Sequence, residues 1–189
     1  MRIVRFLSLS FGIVALCCFW WARRWYFRRL PGTSRHRFGL RLAGPVFALG
    51  LLAQIASDYA RAPPSLHVIA IGLFVASIAL FALTVRAFGV ARPSIAATRS
   101  VPGSLILTGP YQFIRHPFYL AYMLFWVGCA FASPSVLGAL AVLVMLVLYV
   151  RTALVEESVL LQSPLGTQYA KYMAVTGMLI PRVRPARSN

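Results

Sequence analysis

The sequence predicts an all-α integral membrane protein of about five transmembrane helices. Three observations lead there. Sixty per cent of residues are hydrophobic and 12% charged, where a soluble domain carries about a quarter charged. Several apolar stretches approach the ~20 residues a membrane span needs. The arginines gather on one side of those stretches, as cytoplasmic loops do. The whole of residues 1–189 reads as one membrane domain, with amino-terminal helices over 1–100 and a chemistry-bearing core over 101–189.

Ile3–Trp21 is the first span. Arg2 and Arg5 ahead of an apolar run also suit a signal peptide, but the run leads to no small-residue cleavage site. It leads instead into "FWWARRWYFRR", an aromatic belt backed by arginines, so the helix is expected to be retained. Leu42–Ala60 is the second span, with Gly44–Pro45 at its start, where a proline is tolerated. "DYARAPPS" (58–65) turns the chain outside the membrane, and Leu66–Val85 returns it. A polar stretch rich in glycine and proline, 88–116, reads as a cytoplasmic loop, long enough to be functional. Phe118–Ala132 is a short span, "ASPS" (132–135) a turn, and Val136–Val155 the last span.

Of the 19 basic residues, only Arg2, Arg5 and Arg61 fall on the outer side of this arrangement. The amino terminus is therefore expected outside and the carboxyl terminus in the cytoplasm. Topology and the attraction of basic loops to anionic lipid account for the net charge of +16 without nucleic acid. Cys17, Cys18 and Cys129 form no CxxC and read as packing residues. His36, His67 and His116 lie in separate segments, which leaves no metal-ligand spacing.

Chemistry concentrates in few residues. The chain holds three acids, Asp58 in the outer turn and the adjacent Glu156 and Glu157. Ionisable groups near membrane depth are expensive and mark functional sites by default. Carboxylates close to a helix carboxyl end also oppose the macrodipole, so the pair suits a cationic ligand or hydroxyl and amine donors. "GPYQFIRHPFYLAY" (109–122) lies on the same face. Pro117 suits a first helical position, and the amides of that first turn beside Arg115 would form an anion site. Tyr111, Phe113, Phe118, Tyr119 and Tyr122 supply aromatic faces nearby.

"LILTGPYQFIRHPFYL", then "EE", then "LGTQYAKYMAVTGMLIPRV" together resemble the isoprenylcysteine carboxyl methyltransferase family, related to the phospholipid N-methyltransferases. The resemblance covers about residues 103–184. It implies five transmembrane helices and S-adenosyl-L-methionine bound at the cytoplasmic face. By that resemblance the backbone near Leu105 and Ile106, with Tyr111, Arg115, His116, Pro117, Tyr119, Glu156 and Glu157, would hold the cofactor. Arg151 would grip an anionic group of a lipid-like or small apolar methyl acceptor, whose carboxylate, thiol or amine takes the methyl. Arg151 precedes Glu156 by five residues, where the family arginine precedes its glutamate by four, and Gly103 stands where relatives often carry histidine. Membrane sterol reductases that use NADPH share a similar pattern, "RHPNYFGE", against "RHPFYLAY" here. Reduction and a non-catalytic membrane subunit are the alternatives.

Overall fold

A computed structural model describes residues 2–25, 62–95 and 104–182. Among them the architecture is helical, with no strand: α1 (Arg2–Trp25), α2 (Pro64–Ile95), a 3-10 turn (Gly109–Gln112), α3 (Pro117–Ala132), α4 (Val136–Leu161) and α5 (Gly166–Val175). Three segments are long and apolar enough to cross a membrane, Arg2–Trp21, Pro64–Gly89 and Gly138–Leu161. Helix α3 is apolar but shorter, about 24 Å at 1.5 Å per residue. These helices expose large apolar side chains such as Phe6, Ile13, Leu83, Leu143 and Val147, the surface a lipid solvent permits. The expected second span, Leu42–Ala60, lies outside the described residues, as do Asp58, His36 and Gly103.

Two expected boundaries shift. The stretch assigned to a loop from residue 88 is helical as far as Ile95. Phe88, at the start of that stretch, packs its ring 6.3 Å from that of Phe118, which also meets Phe81 at 5.4 Å between ring centroids. Local propensity is a weak prior that packing at the start of a stretch can override. At the other end of the sequence, α4 continues to Leu161, so Glu156 and Glu157 stand one turn inside the helix and not at its margin.

The chain packs as two compact units, Met1–Ile78 with Tyr122–Val147, and Ala79–Ala121 with Leu148–Asn189. In the first, Phe125 gathers the core, 5.6 Å from both Phe19 and Phe74. There the buried His67 Nδ1 lies 3.4 Å from Ser8 Oγ, and Arg5 donates to the Ala62 carbonyl. The second unit carries the chemistry-bearing residues. Its loop comes close to α2 at Gly109, which has φ +60° and whose absent Cβ would stand 3.1 Å from that of Ala87. A left-handed backbone at such an approach calls for glycine.

Candidate functional site

The loop before α3 is built from a tight turn and an isolated parallel bridge. Pro110 opens the 3-10 turn, and its carbonyl accepts from the amides of Phe113 (3.1 Å) and Ile114 (3.0 Å). Ile114 is buried and pairs in parallel with Gly177. The Arg115 amide donates to the Gly177 carbonyl (2.8 Å), the His116 amide to Met178 (3.1 Å), and the Gly177 amide to Phe113 (3.2 Å). A carboxyl-terminal strap, residues 176–182, therefore fixes the backbone that carries Arg115 and His116. Helix α3 starts at Pro117 as the sequence predicts, with the Leu120 amide donating to the His116 carbonyl.

The two glutamates face different surroundings, because consecutive residues on a helix point about 100° apart. Glu157 is 5% exposed and its Oε1 accepts from Arg115 Nε at 2.7 Å and from His116 Nε2 at 3.1 Å. Arg115 is 10% exposed and also donates to the carbonyls of Met173 and Thr176. Glu156 is 51% exposed; its Oε1 accepts from Tyr119 Oη at 2.7 Å, and its Oε2 lies 3.6 Å from His116 Nδ1. The rings of His116, Tyr119 and Tyr149 stack in series, 5.4 Å between successive centroids. The outcome is one buried ion pair and one accessible carboxylate beside a column of rings.

Burial lowers the His116 pKa from 6.5, outweighing the hydrogen bond and charge of Glu157, and the Arg115 charge pushes the same way. The imidazole is neutral at neutral pH, and the nearer carboxylate places its proton on Nε2. Burial pushes the Tyr172 hydroxyl up to about 12; it donates to the Tyr111 carbonyl at 2.6 Å. Tyr169 is raised as well, by burial first and then by the Glu157 charge. Both phenols stay protonated, and that of Tyr172 serves as a donor.

Of the residues singled out in the sequence, the structure brings Arg115, His116, Pro117, Tyr119, Glu156 and Glu157 together, and ties Tyr111 to them through Tyr172. Leu105 and Ile106 lie half-buried in the irregular segment leading to the 3-10 turn. Arg151 is exposed, and five residues put it about 140° around α4 from Glu156. Among the described residues no hydrogen bond or ion pair joins it to this cluster. Sequence reasoning missed Tyr149 and Thr176. Tyr149 precedes Glu156 by seven residues, two turns on one helix face, which was a usable signal. Thr176 contributes a backbone carbonyl, for which no sequence signal exists.

The family model for phospholipid methyltransferases matches residues 65–163. That span runs from the first turn of α2 to just past α4, and so includes the loop, Tyr119 and both glutamates. No curated protein matches the sequence. With the family model covering more than half of its length, Arg115, His116, Tyr119 and both glutamates included, the chain belongs to the phospholipid methyltransferase family.

Proposed function

We propose that this protein transfers a methyl group from S-adenosyl-L-methionine to a carboxylate, thiol or amine of a lipid-like acceptor at the cytoplasmic membrane face. The family name makes a phospholipid amine the first acceptor to test. The observation that carries the proposal is Glu156, a carboxylate left accessible and oriented by Tyr119 while its neighbour is sealed in an ion pair. The gathering of the basic residues on one side of the expected spans, all but Arg2, Arg5 and Arg61, supports a cytoplasmic site.

The donor set fits that cofactor. An exposed carboxylate has acceptor capacity for an amine or for ribose hydroxyls, and aromatic rings suit a cation. Leu105, Ile106, Tyr111, His116, Pro117, Tyr119 and Glu156 would hold it. When bound, it supplies an electrophilic methyl on a cationic sulfur. Arg115 and Glu157, which the family resemblance also places on the cofactor, are joined to each other; we assign them the positioning of the loop behind it. Tyr119 fixes the Glu156 carboxylate, and the stack on His116 and Tyr149 fixes Tyr119. The phenols of Tyr169 and Tyr172 hold their protons, so neither acts as a base. The chain then contributes mainly by orientation, a lever of up to several kcal/mol when geometry is near attack.

Purified protein given S-adenosyl-L-methionine labelled in its methyl group and a membrane lipid extract tests this. Label is expected in a lipid product, and Glu156→Gln is expected to reduce the rate by roughly two orders of magnitude, the scale of a lost charged contact at a reacting site. Folded wild type that labels no lipid would remove the proposal.

A further inference from the structure

Outside the candidate spans, the second unit exposes large apolar side chains: Leu107, Phe113 (44%), Val175 and Ile180 (82%). Singly, such residues are ordinary on any surface. Here they sit on segments bonded to one another. The Phe113 carbonyl accepts from both Gly177 and Arg182 amides, 3.2 Å each, so the bend that carries Ile180 folds over Phe113. Tyr172 ties α5 to the 3-10 turn. Leu107 and Val175 line one open groove together with Lys171. Lys171 and Arg182 are exposed on the same assembly.

The chain connectivity keeps the start of this surface near the end of the last candidate span. Five residue steps separate Leu161, where the last candidate span ends, from Gly166 at the start of α5. Fully extended, they reach at most about 17 Å. The 3-10 turn likewise leads within a few residues into Pro117, the start of the apolar α3. Apolar side chains beside lysine and arginine at that level make the pattern of an interfacial segment, apolar groups toward the acyl boundary and cations at phosphate.

We propose that the 3-10 loop, α5 and the 176–182 strap form a surface seated in the headgroup layer of an anionic bilayer. Leu107, Phe113, Val175 and Ile180 rest toward the acyl chains, and Lys171 and Arg182 meet lipid phosphates. This rests on the membrane methyltransferase assignment above and adds how its site is presented to lipid.

The test is photocrosslinking of the full chain in nanodiscs that contain a minority of anionic lipid. A benzophenone amino acid replaces Phe113 or Ile180, with intact-mass detection of adducts. Val147, exposed on α4 within its candidate span, is the positive control, and buried Tyr169 the negative one. Lipid adducts are expected at Phe113 and Ile180, enriched in anionic lipid roughly fivefold above its share, the factor given by about 1 kcal/mol per surface cation. Lys171→Glu with Arg182→Glu is expected to abolish the enrichment. Lipid adducts at Val147 with none at Phe113 or Ile180 overturn the surface, as do adducts to protein in their place. Adducts without enrichment overturn the phosphate contacts. If either substituted protein loses its melting transition, Leu107 and Val175 take the probe. Methyl transfer without surface adducts sinks this inference alone, and surface adducts without methyl transfer sink the activity alone.

Discussion

At the scale of single residues, the adjacent glutamates are expected to separate experimentally. Glu157→Gln or Arg115→Met leaves a buried partner uncompensated, a loss of about 3–5 kcal/mol, read as a large fall in Tm. Glu156→Gln, on the half-exposed side, is expected to leave Tm within a degree or two of wild type while cofactor binding disappears. His116 adds a pH dependence. Its folded pKa is lowered from 6.5, so between that lowered value and 6.5 the unfolded chain binds more protons than the folded one. Stability therefore falls as pH drops through this window. Melting curves between about pH 8 and 5.5 should show the decline in wild type and a shallower one in His116→Gln. The sequence announced that Arg115, His116, Glu156 and Glu157 belong together. It could not divide the glutamates, because which of two neighbours points inward depends on the rotation of α4 against the loop, a tertiary quantity.

At the scale of elements, the strap is the part least visible in sequence. Residues 176–182 enter the sequence reading only as the end of the motif "LGTQYAKYMAVTGMLIPRV", with no structural role, yet their backbone supplies the partners that fix Arg115 and His116. Backbone pairing leaves almost no composition signal, and a single parallel bridge leaves none. Gly177 is the exception, since a Cβ there would run into the Ile180 carbonyl within the same bend. Gly177→Ala should cost about 1–3 kcal/mol, as forced shifts in packed sites do, and should loosen the loop. Hydrogen exchange would show this as faster exchange of the Arg115 and His116 amides. Unchanged protection there would mean that the strap does not hold the loop. Among the described residues, in contrast, the three long apolar spans were legible from their length. Ends were misjudged where α2 ran on past glycine and proline, and where α4 ran on beneath its charged residues.

At the scale of the whole molecule, composition alone reached the class: apolar helices, basic flanks and three acids leave little besides a membrane protein. The family came from ordered short motifs, and the match over residues 65–163 agrees with it. Everything proposed for the site depends on Glu156 being the accessible carboxylate of a methyl-donor pocket and Glu157 its buried support. Calorimetric titration of S-adenosyl-L-methionine into detergent-purified wild type, Glu156→Gln and a Glu157→Asp variant that keeps the charge tests this division most directly. Binding by wild type, retained though weakened in Glu157→Asp and lost in a Glu156→Gln protein that melts like wild type, is the predicted result. Equal binding by wild type and Glu156→Gln, or no binding by a folded wild type at millimolar cofactor, would contradict it.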